Sequence, residues 1–169
     1  MTADTDPFAP TLPRQGARAL PWLSVIAGSC VTALPLIATV PLLPPFGLLM
    51  LLAWRLLVRF ALRPWAAAPL GFVDDLVSGQ PLGSAVLLWS VTFLLIDVAE
   101  QRLAFRDFWQ DWLLATGLIV ACLLAGRAVA VPAAAHVDLA LMAQGVAAIL
   151  LFPAAMRVVA WLDIRRAYP

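Results

Sequence analysis

Two neighbouring carboxylates, Asp74 and Asp75, sit in the stretch GFVDDLVSGQPLG, residues 71–83, of a chain that is otherwise almost continuously apolar. Carboxylate pairs serve general acid–base and proton-relay chemistry. A charged side chain at the centre of a membrane helix also costs roughly 2.5–3.5 kcal/mol on insertion scales. Such residues therefore persist near an interface, against other helices, or for a task. Adjacent helical positions point about 100° apart, so the two acids do not converge as a dyad would. One can look into a helix bundle while the other looks to the interface or a partner. Three readings follow. The pair caps the turn behind it and engages Arg55; it holds a partner helix or an outer domain; or it moves protons or ions, for which no second buried acid or His lies at a matched depth.

The remaining reactive residues are sparse. His136 is the single histidine, so a His-rich metal site is excluded, and it reads as an exposed loop residue. Cys30 and Cys122 lie within apolar runs, without a CxxC spacing, and read as small buried hydrophobes. No dinucleotide-binding GxGxxG, phosphate loop, HExxH or GxSxG occurs. Neither catalysis nor a cofactor is expected. Asp97, Glu100, Asp107 and Asp111 bracket Arg102 and Arg106, which reads as local surface pairing of small energetic consequence.

The elements that must position these residues are membrane helices. Of 169 residues 63% are hydrophobic and 12% charged. A soluble domain is nearer 45–50% apolar, so most of this surface cannot face water. Net charge is +1, which leaves no basic field for nucleic acid. Residues 1–19 are polar and proline-bearing and read as a disordered tail. Six spans follow in residues 20–164: about 20–40, with Pro35 as a kink, then 46–62, 65–78, 82–98, 109–131 and 138–162, the last interrupted by Pro153. Residues 165–169 form a short basic tail. The fold expected is an all-α integral membrane protein, a compact six-helix bundle.

Arg55 lies more than a turn deeper than Arg59 and Arg63, so it either snorkels or meets Asp74 or Asp75 inside. The third span has only about fourteen residues, about 21 Å of helix, against a hydrocarbon core of about 30 Å. Charge still favours its crossing. With six helices, nine of the eleven arginines (Arg55 and Arg127 excepted) fall on one side, which marks that side and both termini as cytoplasmic. The 79–83 turn then faces outward. Gly79 and Gly83 formally make GxxxG, but Pro81 between them makes them turn glycines rather than a helix-dimer face. Phe108, Trp109 and Trp112 read as an interfacial aromatic belt.

The 71–83 string resembles the signature of the MreD family of rod shape-determining proteins, roughly G-x-x-x-D-L-x-S/T-G-x-x-L-G. The family's Asp falls on Asp75, its glycines on Gly71, Gly79 and Gly83, and its Leu on Leu82; Asp74 is an additional acid where the family pattern is apolar. Trp54 with the Arg63-Pro64 exit, and Pro153 followed by Arg-rich sequence, are similar too. The likeness spans about residues 40–169. It implies a non-enzymatic, multi-pass subunit of the bacterial cytoplasmic (inner) membrane that binds MreC, a single-span protein with a large outer domain. MreB, RodA and a class B penicillin-binding transpeptidase belong to the wider complex, which builds lateral peptidoglycan. It also implies a fold similar to the six-helix substrate-binding subunits of energy-coupling-factor transporters. A vitamin-binding transport subunit is accordingly the alternative, although short outer loops and few polar side chains within the spans favour the scaffold.

Overall fold

The computed structural model describes residues 19–32, 44–102, 107–130 and 136–167. Among them the chain forms six α-helices and no strand: α1 (Leu20–Thr32), α2 (Phe46–Leu57), α3 (Ala67–Ser78), α4 (Ser84–Arg102), α5 (Phe108–Ala130) and α6 (His136–Ala167). A single 3-10 turn, Pro64–Ala66, leads into α3. Residues 1–18 of the expected first tail and the Pro35 kink lie outside the described residues, whereas Arg165 and Arg166 of the expected basic tail belong to the last turn of α6.

Several boundaries differ from the expected spans. α2 stops at Leu57 rather than at residue 62, because Val58 leaves helical geometry at φ −127° and ψ 86° and the following turn tucks Leu62 into the core. α4 starts at Ser84, since Gly83 is left-handed, and runs on to Arg102, which places Asp97 and Glu100 inside a helix. α6 begins at His136, so that residue opens a helix instead of sitting in a loop.

The helices pack in a closed ring of neighbours, α1–α2–α6–α5–α4–α3 and back to α1. α2 is the innermost: nine of its twelve residues are buried, with Leu51, Leu52, Ala53 and Trp54 fully so. A helix apolar on every side needs this position, because protein meets it all round. The long helices behave differently. The apolar windows of α5 and α6 are only 22% buried, and they present Leu113, Leu124, Met142, Val146 and Leu150 outward. By length and composition α4, α5 and α6 can each cross a membrane. α1, α2 and α3, at about 18–20 Å, are shorter than a hydrocarbon core of about 30 Å and pack with the long helices around one interior.

Pro153 lies inside α6, and the helix continues through it. A proline removes the hydrogen bond to the carbonyl four residues back, here Ile149. Trp112 on α5 supplies a replacement, donating its indole N–H to the Ile149 carbonyl at 3.4 Å. The same indole thus joins α5 to α6, and only Phe108 and Trp109 of the expected belt are strongly exposed.

Candidate functional site

α3 ends at Ser78, and the chain reverses through Gly79 at φ 67° and Gly83 at φ 98°. Both values are left-handed, the region that favours glycine. α4 begins one residue later, and a helix start leaves backbone N–H groups without intrahelical acceptors. In an apolar setting each such group costs several kcal/mol. Asp75 on α3 provides the acceptors. Its Oδ1 accepts the Ala85 N–H at 2.8 Å and the Ser84 hydroxyl at 2.9 Å, while Oδ2 accepts the Gly83 N–H at 2.8 Å. The carboxylate is 1% exposed and lies at the positive end of the α4 dipole, which favours its charge.

Gly71 completes this arrangement. It precedes Asp75 by one helical turn and shares its face. A Cβ on Gly71 would lie 2.8 Å from the carbonyl carbon and oxygen of Ala85 and from the Val86 Cα. The missing side chain is what lets the first turn of α4 approach α3 closely enough for Asp75 to reach it. Gly71, Asp75, Gly79 and Gly83 are therefore one device: a close approach, a cap and two left-handed corners. With Gln80 and Pro81 exposed and Leu82 exposed by 69%, the device presents a fixed, apolar-tipped turn.

Asp74 points to different neighbours. Its carboxylate meets the Ser29 hydroxyl of α1 across Gly47 of α2, where a Cβ would collide with Ser29 Oγ and stand 3.1 Å from Asp74 Oδ1. Ser29 is 1% exposed and its hydroxyl forms no hydrogen bond of ordinary geometry. The two acids thus serve two seams, Asp75 the α3–α4 turn and Asp74 the crossing of α1, α2 and α3. They form no dyad. Asp75 already accepts three donors and is closed to solvent, so a substrate has no path to its remaining lone pair. No group of three or more His, Cys, Asp or Glu side chains that could hold a metal ion occurs among the described residues.

Arg55 is placed at the other end of the bundle, and its partners are not Asp74 or Asp75. α2 and α4 run parallel, so Arg55 in the last turn of α2 is level with the last turns of α4. Its guanidinium, 5% exposed at the residue level, donates to the Asp97 carboxylate and lies 3.3–3.4 Å from both Glu100 oxygens. It also donates to the Arg59 carbonyl at 3.2 Å and stands 5.8 Å from the Phe93 ring centre. Asp97 and Glu100 are therefore inward-facing counter-charges, not surface partners of Arg102. The sequence reading missed this pairing, although counting depth from the arginine-rich ends of α2 and α4 brings the three residues to one level. It missed Ser84 as well, a hydroxyl residue at a helix start and so a recognisable capping signal.

The model of the family described as rod shape-determining protein MreD matches residues 17–160. No curated protein and no solved structure matches the chain. The match covers most of the 169 residues and contains both the Asp75-capped turn and the Arg55 cluster, and the chain belongs to the MreD family of rod shape-determining proteins.

Proposed function

We propose that this chain is a non-enzymatic scaffold of the bacterial elongation complex, seated in the cytoplasmic membrane with both termini inside, which binds MreC and supports lateral peptidoglycan synthesis. MreB, RodA and a class B penicillin-binding transpeptidase are its wider company, and its bundle is of the kind found in energy-coupling-factor binding subunits. The observation that carries this reading is the turn. Its charged residue is spent on internal capping, while Gln80, Pro81 and Leu82 stand outward on a fixed backbone beside Phe72 and Leu76, exposed by 49% and 58%. A rigid surface with an apolar tip and no free catalytic group suits holding a partner.

The test is affinity purification of the tagged protein from its own cells in mild detergent, with Leu82→Ser beside the wild type. MreC is expected with the wild type and is expected to fall at least about tenfold with the variant, as for a residue worth about 1.4 kcal/mol at an interface, with no change in thermal unfolding. Equal recovery of MreC with both would overturn the role of the turn. Recovery of paired ATPases and a coupling subunit in place of MreC would replace the scaffold by a transport subunit.

A further inference from the structure

The segment between α2 and the 3-10 turn reads Val58-Arg59-Phe60-Ala61-Leu62-Arg63-Pro64-Trp65. Its backbone is fixed. The Val58 N–H donates to the Trp54 carbonyl, the Ala61 N–H to Val58 and the Ala66 N–H to Arg63, at 2.8–3.0 Å. Leu62, 1% exposed, anchors it in the core, and Arg55 holds the Arg59 carbonyl from within. On this fixed base Phe60 is 95% exposed and Trp65 60%, the latter leaning on Trp22 with ring centres 5.5 Å apart.

The charges around it do not cancel. Asp97 and Glu100, the carboxylates that face it from α4, are engaged by Arg55. Arg59 reaches Glu100 only at 3.9 Å, and no carboxylate lies within ion-pair distance of Arg63 among the described residues. Two exposed guanidiniums thus alternate with two exposed rings on a preorganised loop. Guanidinium forks match phosphate oxygens, and aromatic rings settle at the level of lipid headgroups. We propose that the 58–65 loop binds the phosphate of an anionic phospholipid, with Arg59 and Arg63 on the headgroup and Phe60 and Trp65 in the boundary between headgroup and acyl chain. A soluble phosphate would satisfy the arginines and leave both rings in water, so the lipid is the occupant that uses all four side chains. Phe108 and Trp109 at the start of α5 are exposed as well, by 54% and 67%.

The experiment uses the full chain in nanodiscs of phosphatidylcholine, alone or mixed with phosphatidylglycerol. Native mass spectrometry counts retained anionic lipid, and thermal unfolding measures the gain that phosphatidylglycerol confers. Wild type is expected to retain phosphatidylglycerol and to unfold at a higher temperature with it. Arg59→Gln/Arg63→Gln is expected to lower that affinity by roughly tenfold or more, from about fivefold for each arginine near an anionic surface, with unfolding in pure phosphatidylcholine unchanged. Arg63→Gln alone repeats the test if the double variant is less stable there. Arg102→Gln/Arg165→Gln, at the same end, is expected to keep the effect. Unchanged retention in the 59/63 variant, an equal loss in the 102/165 control, or complete competition by soluble glycerol phosphate would each overturn the proposal.

Discussion

At the start of α4, Asp75 holds backbone N–H groups 8 and 10 positions further along the chain; near its end, Asp97 and Glu100 hold a guanidinium 42 and 45 positions away. Both ends of one helix are thus fixed by buried charge, by unlike means. At the first end a carboxylate meets the positive pole of the helix and satisfies amides that have no other acceptor, so field and hydrogen bonding act together. At the second end two carboxylates sit near the negative pole, where their charge is unfavourable, and Arg55 offsets them. The first site is a feature of one hairpin and forms with it. The second exists only once α2 and α4 lie side by side. Local charge therefore sets the shape of the α3–α4 turn, whereas long-range charge sets which helices lie level with one another.

That contrast predicts different responses to mutation. Asp75→Ala should be the most damaging change, lowering stability by about 3–5 kcal/mol, because it removes three charge-assisted hydrogen bonds and leaves the buried Ala85 amide unsatisfied. Asp75→Asn should lose about half as much, since one amide oxygen still accepts. Thermal unfolding in detergent checks both, and equal stability of Asp75→Ala and wild type would remove the cap from the account.

Arg55→Ala should cost about 2–4 kcal/mol, the lower part of the range for breaking a buried pair, because its carboxylates keep some contact with solvent. Here the remedy differs. Exchanging all three residues together, Arg55→Met with Asp97→Leu and Glu100→Leu, should lose less than Arg55→Ala alone, since no charge is stranded. No apolar exchange should rescue Asp75→Ala, because its partners are backbone. If the triple variant were less stable than the single one, the guanidinium and the acids would not be coupled.

Gly71→Ala should cost about 1–3 kcal/mol through overlap with the Ala85 backbone, and it should loosen the Asp75 cap as well. Gly79→Ala should cost about 1 kcal/mol, the penalty of a left-handed backbone alone, with the cap intact. Comparing the two by unfolding and by exchange of the Ala85 amide separates close approach from backbone conformation. Equal amide exchange in both would argue against a specific role for Gly71.

How much of this was legible follows the same division. The turn is written within thirteen consecutive residues, 71–83, where a breaker cluster follows a helix with an acid near its end, and the residue pattern alone locates it. Which of Asp74 and Asp75 serves it was not readable, because that depends on where α1 and α2 lie. Asp74 is drawn to the α1–α2 crossing by Ser29 and Gly47, residues 27 to 45 positions earlier. Arg55 is legible as a deep charge, but its partners are not, because Asp97 and Glu100 lie 42 and 45 positions away in a mixed-charge run whose inward face is set by the placement of α2 beside α4. The early end of α2 was hidden for a related reason: residues 58–62 are as apolar as a helix would be, and their turn is set by burial of Leu62 and by the Arg55 bond to the Arg59 carbonyl.

The most direct measurement of the central claim is amide hydrogen exchange at Gly83 and Ala85 in the wild type and in Asp75→Ala, both under conditions where the bundle stays folded. A cap on those amides predicts slow exchange in the wild type and at least about a tenfold acceleration in the variant, the equivalent of about 1.4 kcal/mol of local protection, with amides in the middle of α5 unaffected. Equal exchange at Gly83 and Ala85 in the two proteins would contradict it and return Asp75 to the role of a contact for a partner.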